Sequence, residues 1–229
     1  MWGLSSLLYP STCPVCERGS DSLETTPLCS QCLKTIKRYS GPSCRVCSLP
    51  LVSVHSDICG SCISDPPFFS YVVSYGLYSD VLASAINLFK FSGFRRLSRP
   101  LSRFLLETEI PDVDLVMPVP MTKRSMLERG YNQSALIAKE VSKATGYPLD
   151  IDSLQKVRET LPQVGLKAED RAKNLKNAFL VTGDLRGKRI LLIDDVMTTG
   201  ATLRECSRVL VKAGATEVIG LVLARTCQD

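Results

Sequence analysis

Along the C-terminal two thirds of the chain, hydrophobic positions fall into two alternating kinds of run. Leu115 to Pro120, Lys188 to Ile193 and Val218 to Ala224 are short blocks of mostly branched and aliphatic residues, the signature of buried strands. Apolar residues recur at helical spacing from about Gln133 to Thr145. They do so again from about Ala201 to Ala213, where Gly214 gives a stop. Val81 to Glu107 reads as a further helix-like run. Strands alternating with helices predict an α/β fold built on a doubly wound parallel sheet, with ligands at the carboxyl ends of the strands.

Cysteine punctuates the N-terminal stretch instead. Eight of the ten cysteines lie before residue 63, in four Cys-x-x-Cys pairs: Cys13/Cys16, Cys29/Cys32, Cys44/Cys47 and Cys59/Cys62. Two sulfurs three residues apart in a tight turn grip one ion from the same side, and two such turns complete the tetrahedral thiolate site that structural zinc prefers. The stretch is also an internal duplication. Pro10 to Cys16 answers Gly41 to Cys47, and Leu28 to Cys32 answers Ile58 to Cys62. Two zinc sites are expected, with three ways to pair the knuckles. The duplication favours the sequential pairing, and an interleaved one stays open. The Pro66-Pro67 pair closes this module, so residues 1–66 are expected to form a double zinc ribbon and 67–229 the α/β domain.

Composition narrows the class. With 45% hydrophobic and 22% charged residues in 229, and mean hydropathy of +0.08, the chain has room for a full core. Its apolar runs are too short for a bilayer span. Met1 to Pro10 lack the basic start of a secretory signal. A cytoplasmic protein without membrane insertion is expected, in a reducing compartment that suits metal-bound thiols.

Charge separates the two modules. Residues 1–65 balance five basic against five acidic side chains, and thiolate–zinc clusters would make them acidic, so the ribbons read as a scaffold or protein-contact module. The remainder holds the whole net charge of +5. Lys90, Arg95, Arg96, Arg99 and Arg103 form a basic strip, either a solvated helix face or an anion-facing rim.

The sharpest motif is Ile190-Leu-Leu-Ile-Asp-Asp-Val-Met-Thr-Thr-Gly-Ala-Thr202. Four apolar residues make a strand, and Asp194 and Asp195 emerge at its tip. Gly200 lets a backbone approach a ligand closely. The threonine hydroxyls and the N–H groups at the next helix start suit a phosphate. The carboxylates suit two neighbouring hydroxyls or a magnesium ion, and a ribose 5-phosphate satisfies both halves.

This segment resembles the phosphoribosyl pyrophosphate (PRPP) signature of type I phosphoribosyltransferases over all thirteen positions. The resemblance puts Asp194 and Asp195 on the ribose hydroxyls with magnesium, and Met197, Thr198, Thr199, Gly200, Ala201 and Thr202 around the 5-phosphate. Thr198 stands where purine-salvage members often have an acid, which weighs against purine salvage. Val116 to Pro120 followed by Met121 to Arg124 is similar to the family's pyrophosphate loop, offering Lys123 and Arg124 to the diphosphate. Arg129 either joins them or holds Asp195. The segment Arg158 to Phe179 resembles the family's mobile loop, with Lys156, Arg158 and Arg171 as candidates to close over the diphosphate.

The whole order resembles the ComF-like family, which joins a double zinc ribbon to a phosphoribosyltransferase-like domain. The shared marks are Leu88-Phe-Lys-Phe91, Pro118-Val-Pro120, Arg129-Gly-Tyr-Asn-Gln133, Arg171 with Asn174 to Phe179, and Asp194 to Gly200. That family is associated with natural transformation. The resemblance implies PRPP or a related phosphoribosyl ligand, DNA-uptake partners and a homodimer. It leaves two readings: a PRPP-binding protein that handles single-stranded DNA along the 90–103 strip, and a transferase with an unidentified acceptor. Phe89, Phe91 and Phe94 are available for stacking but have core-like spacing. His55 is expected in an exposed loop. Cys206 and Cys227 are expected to be inert thiols.

Overall fold

The computed structural model describes residues 12–52, 56–159 and 175–227. Two single-turn helices, α1 (Ser30–Lys34) and α2 (Gly60–Ser64), each follow the first cysteine of a knuckle. Then come β1 (Tyr71–Leu77), α3 (Asp80–Phe91), a 3-10 turn (Arg95–Leu97) and α4 (Ser98–Leu106). The order continues with β2 (Leu115–Pro118), α5 (Lys123–Arg129), α6 (Gln133–Thr145), β3 (Leu154–Lys156), β4 (Phe179–Val181), β5 (Arg189–Met197), α7 (Ala201–Lys212) and β6 (Glu217–Arg225).

Four strands form a parallel sheet in the order β1-β6-β5-β2. β3 and β4 pair antiparallel as a separate ribbon. Almost every residue of β5 and β6 is buried, as expected where a parallel sheet is covered on both faces. Alternation sorts their side chains into two cores. Leu191, Ile193, Ile219 and Leu221 pack with α3, α4 and α6, whereas Ile190, Leu192, Val218 and Val222 pack with α7 and the β3–β4 ribbon.

The cysteine knuckles divide the same way. Cys13, Cys29 and Cys32 belong to the first core, and Cys44, Cys47, Cys59 and Cys62 to the second. Each half of the duplication therefore packs into a different core.

α6, which follows β2 and α5, lies on one face of the sheet, and α7, which follows β5, lies on the other. The chain thus reverses its winding between β2 and β5, which opens a crevice at their carboxyl ends. β2 stops at Pro118, opposite Ile193, while β5 runs on beside β6 to Met197 opposite Arg225. Asp194 and Asp195 follow directly past the end of their shorter neighbour.

Three sequence expectations change. The run Val81 to Glu107 is two helices, because α3 ends at Ser92 and Gly93 takes a left-handed φ of 76° before the 3-10 turn. The stretch after Pro120 contains a helix rather than a plain basic loop. Thr122 caps α5 through Ser125 N–H, and Gly130 ends it at φ 77°. β1 was not foreseen. Among the described residues no helix is long and apolar enough to cross a membrane.

Candidate functional site

The two cysteine clusters repeat each other down to the backbone. Cys13 N–H donates to the Arg18 carbonyl and Glu17 N–H to the Cys13 carbonyl. In the second copy, Cys44 N–H donates to Leu49 and Ser48 N–H to Cys44. Glu17 and Ser48 hold matching positive φ values of 60° and 54°. The sulfurs gather sequentially: Cys13, Cys16, Cys29 and Cys32 in one group, Cys44, Cys47, Cys59 and Cys62 in the other, each within 4.8 Å of its fellows. The interleaved pairing is thereby excluded. A tetrahedral zinc with Zn–S bonds of about 2.3 Å needs sulfurs about 3.8 Å apart. Cys16 to Cys29 and Cys47 to Cys59 are both 3.6 Å, so the donor sets fit zinc.

The thiols' acidity shows why a cation belongs there. Burial pushes Cys13 and Cys44 up, but backbone N–H groups more than offset it and bring them down to about 6 and about 7. Burial and the neighbouring sulfurs push Cys32 and Cys62 far up. Four thiols this close cannot all ionise without a positive charge among them.

The second site lies in the β2–β5 crevice. Asp194 and Asp195 are both buried, the latter only 2% exposed. The Ser134 hydroxyl, on the first turn of α6, donates to Asp194 Oδ1 at 2.9 Å. Ser134 is in place because Asn132 caps α6, accepting from Ser134 and Ala135 N–H while its own amide donates to the Val119 carbonyl. Burial, then the charge of Asp195, push the Asp194 carboxyl up to about 7, against the pull of Lys90 and Ser134.

Asp195 has a partner that the sequence reading put elsewhere. Lys90, on the last turn of α3, places Nζ 3.1 Å from both carboxylate oxygens. Alignment allows a hydrogen bond only to Oδ1, which also accepts from Val196 N–H, so the buried Oδ2 is left without one. Lys90 offsets the charge of that oxygen but leaves its hydrogen-bonding capacity open, and a ligand hydroxyl or a hydrated magnesium ion would satisfy it. The residues present therefore fit the ribose end of a phosphoribosyl ligand.

The loop to α7 follows at once. Gly200 caps the helix with φ 80°, a conformation that disfavours side chains, and Thr199 Oγ1 accepts from Ala201 N–H at 3.4 Å. The loop sits on Arg225, which is 2% exposed. Its guanidinium donates to the carbonyls of Cys47 at 3.1 Å, Met197 at 3.0 Å, Thr226 at 3.0 Å, and Thr198.

The basic candidates take separate places. Lys123 and Arg124 are exposed on α5, and Arg124 pairs with Glu128 at 2.8 Å. Arg129 bonds Gln133 and lies 5.3 Å over the ring of Phe91, so Lys90 and not Arg129 holds Asp195. Arg158 donates to the Lys176 carbonyl at 2.7 Å. Lys156 stacks on Phe179, and Asp194 lies within its electrostatic reach. Arg171 and most of the proposed mobile loop lie outside the described residues, as does His55.

The basic strip divides. Lys90 turns into the crevice, Arg95 bonds the Gly130 carbonyl and lies over Tyr131, and Arg99 faces Glu140 at 3.8 Å. Arg96 and Arg103 reach the Leu23 carbonyl and Glu24 on the first ribbon. Phe89 is core and Phe94 half-buried against it, while Phe91 is 70% exposed. Cys206 is buried, with its thiol pushed well up by burial, and Cys227 is exposed. Sequence reasoning missed Ser134 and Arg225, and gave Lys90 a surface role.

Comparison with known proteins agrees with this layout. Residues 4–63 match the double zinc ribbon domain family and residues 132–228 the phosphoribosyl transferase domain family. Competence protein F of Haemophilus influenzae is 34% identical over 91% of this chain and 94% of its own length. The DNA utilization protein YhgH of Escherichia coli K12 is 32% identical over 96% and 99%. Among solved structures, the glutamine PRPP amidotransferase of B. subtilis aligns with 62% of this chain and 26% of its own, at 22% identity and a TM-score of 0.39. With a double zinc ribbon, a phosphoribosyltransferase domain and this likeness over nearly the whole of both relatives, the chain belongs to the ComF family of Competence protein F and YhgH.

Proposed function

We propose that the chain binds PRPP with magnesium in the β2–β5 crevice and serves the handling of imported DNA in natural transformation, in the cytoplasm. The observation that carries the reading is the buried acid pair near the end of β5, with Asp195 Oδ2 in ion-pair range of Lys90 but without a hydrogen bond, and two residues between it and the Thr198–Thr202 loop. Asp194 and Asp195 face the ribose hydroxyls, and Met197, Thr198, Thr199, Gly200, Ala201 and Thr202 cradle the 5-phosphate. Lys123, Arg124 and Arg129 lie on the segment after β2 that would meet the diphosphate, and Arg158 closes from the β3–β4 side. Magnesium, when bound with the ligand, would neutralise part of the charge of the acids and the diphosphate. Zinc fills both cysteine groups, residues 1–66 acting as a brace for the domain at 67–229. The DNA role draws on the relatives named for competence and DNA utilization. Single-stranded DNA would meet the exposed Arg95 and Arg99 of the strip.

Titration calorimetry with PRPP, with and without magnesium, tests the site on the wild type and Asp195→Ala. Magnesium-dependent binding weakened at least about tenfold in the variant is expected, the worth of a lost charged hydrogen bond. No binding by folded, zinc-loaded protein would overturn the reading. The intact acid pair and threonine loop also suit a transferase, and diphosphate release against a panel of bases and amines separates the two.

A further inference from the structure

The two cysteine clusters share a ligand pattern but differ in what they hold. The first is tied to the 3-10 turn through Arg96 on the Leu23 carbonyl, to α4 through Arg103 on Glu24, and to β1 through Tyr39 N–H on the Tyr75 carbonyl. The second also meets β1, through Val72 N–H on the Val46 carbonyl, but it alone of the two reaches both ends of the loop between β5 and α7 among the described residues.

At the start of that loop stands Arg225. Burying a guanidinium is expensive unless its donors are met, and such groups normally take a carboxylate. Among the described residues, Arg225 takes the main-chain carbonyls of Cys47, Met197, Thr198 and Thr226, and Thr226 Oγ1 at 3.5 Å. One of these carbonyls belongs to a ligand of the second cluster and two belong to the loop. In a planar trans peptide the C=O and N–H point opposite ways. Turning the Met197 and Thr198 carbonyls onto Arg225 therefore turns the N–H groups of Thr198 and Thr199 away from it. Among the described residues no carboxylate meets that arginine, so its positive charge beside the loop favours an anion.

At the far end stands Arg204, on the first turn of α7. Its Nη1 donates to the Asp65 carbonyl at 2.6 Å and lies 3.1 Å from Asp65 Oδ2, and its Nη2 lies 3.8 Å from Cys62 Sγ. Asp65 ends α2, the helix that holds Cys62. A metal-bound thiolate is a stronger acceptor than a thiol, so this contact tightens when the cluster is loaded.

We infer that the second cysteine cluster anchors the 197–203 loop through Arg225 and Arg204, making these two arginines positioning residues for the crevice. Metal at Cys44, Cys47, Cys59 and Cys62 is coupled to the loop's order, and metal at the first cluster is not. The consequence for a phosphoribosyl ligand rests on the function proposed above; the brace itself does not.

Hydrogen exchange on the full-length, zinc-loaded chain tests this, following residues 197–203 with 121–130 as the internal reference. Cys47→Ser, with one zinc left, is expected to speed exchange in 197–203 at least about tenfold, while Cys16→Ser with one zinc left changes it by less than about twofold. Arg204→Met and Arg225→Met are expected to loosen 197–203 with both zincs retained, and Arg225→Lys to restore part of the protection. Cobalt in place of zinc adds a spectroscopic check: PRPP is expected to perturb the bands of the second cluster in the wild type and not in Arg204→Met. Equal loosening by Cys47→Ser and Cys16→Ser, or unchanged exchange in Arg204→Met, overturns the brace. Should the wild type bind no PRPP, the exchange results still decide the brace, and the ligand reading alone falls.

Discussion

The two cysteine clusters are copies in sequence and in hydrogen bonding, yet they sit in opposite cores. All four thiols of the second are buried, whereas Cys16 of the first is half-buried. The first cluster carries α1 against α3, whose last turn delivers Lys90 to Asp195. The second reaches the Thr198–Thr202 loop through Arg225 and Arg204. One cluster thus backs the acid pair and the other the loop. The duplicated part is the metal knuckle, and the divergence lies in the chain each copy supports.

The harshest way to probe that comparison is to remove both metals. Each cluster is part of a core that covers one face of the sheet, so stripping zinc with a strong chelator is expected to lower the melting temperature by more than about 10 °C. Thermal melts before and after chelation, with zinc added back, check it. A melting temperature that ignores the chelator would mean that the sulfurs hold no metal, and the comparison between the clusters would lose its basis.

Parts of this arrangement were legible because they are local. Knuckle spacing gave both cysteine clusters, and the duplication favoured the sequential grouping that the structure has. The apolar block before Asp194, with Gly200 behind it, gave β5, the loop and the start of α7. Where the reading failed, the deciding contacts were distant or depended on tertiary context. β1 contains Ser74 and Gly76, which blur its pattern, and it is a strand through its ladder with β6, some 150 positions later. Lys90 looked like one more charge on a basic face, because nothing in its neighbourhood says that α3 ends beside Asp195. Arg225 sat at the end of an apolar strand with no local partner to suggest burial. The helix after Thr122 was a different kind of miss, since its Thr cap and Gly stop were both in the sequence.

A milder probe cuts the first cluster's route alone. Lys90→Met keeps the stem of the side chain and removes the charge beside two buried carboxylates. Breaking a fully buried pair costs about 3–5 kcal/mol, and Lys90 is partly exposed, so about 1–3 kcal/mol is expected at pH 8. Denaturant melts measure it. The cost should shrink as the pH falls through about 7, where Asp194 takes up a proton and less charge is left unpaired. A pH-independent loss would mean that the lysine stem packs α3 and its charge does nothing for the acids. Exchange in 197–203 should stay as in the wild type, because that loop hangs on the other cluster.

The remaining test falls where the two routes meet. Asp194 accepts from Ser134 on the first core's α6, and the buried Cys206 of α7 in the second core lies within its electrostatic reach. Burial raises its carboxyl from an ordinary 3.8 to about 7. Between those values the folded chain holds a proton that the unfolded chain has released, so this group's contribution is fully present below pH 3.8. It falls as the pH rises towards 7 and is gone above it. Asp194→Asn removes the ionisation and leaves an amide oxygen to accept from Ser134. The variant is therefore expected to be more stable than the wild type at pH 8, by at least about 1 kcal/mol, and to gain little at pH 4. Denaturant midpoints at the two pH values give the difference directly. Equal effects at both would mean that Asp194 is not held protonated by its surroundings. The same variant should lose magnesium-dependent PRPP binding, since an amide cannot neutralise the cation. Stability gained where binding is lost would mark the carboxylate as a group kept for its ligand at the expense of the fold.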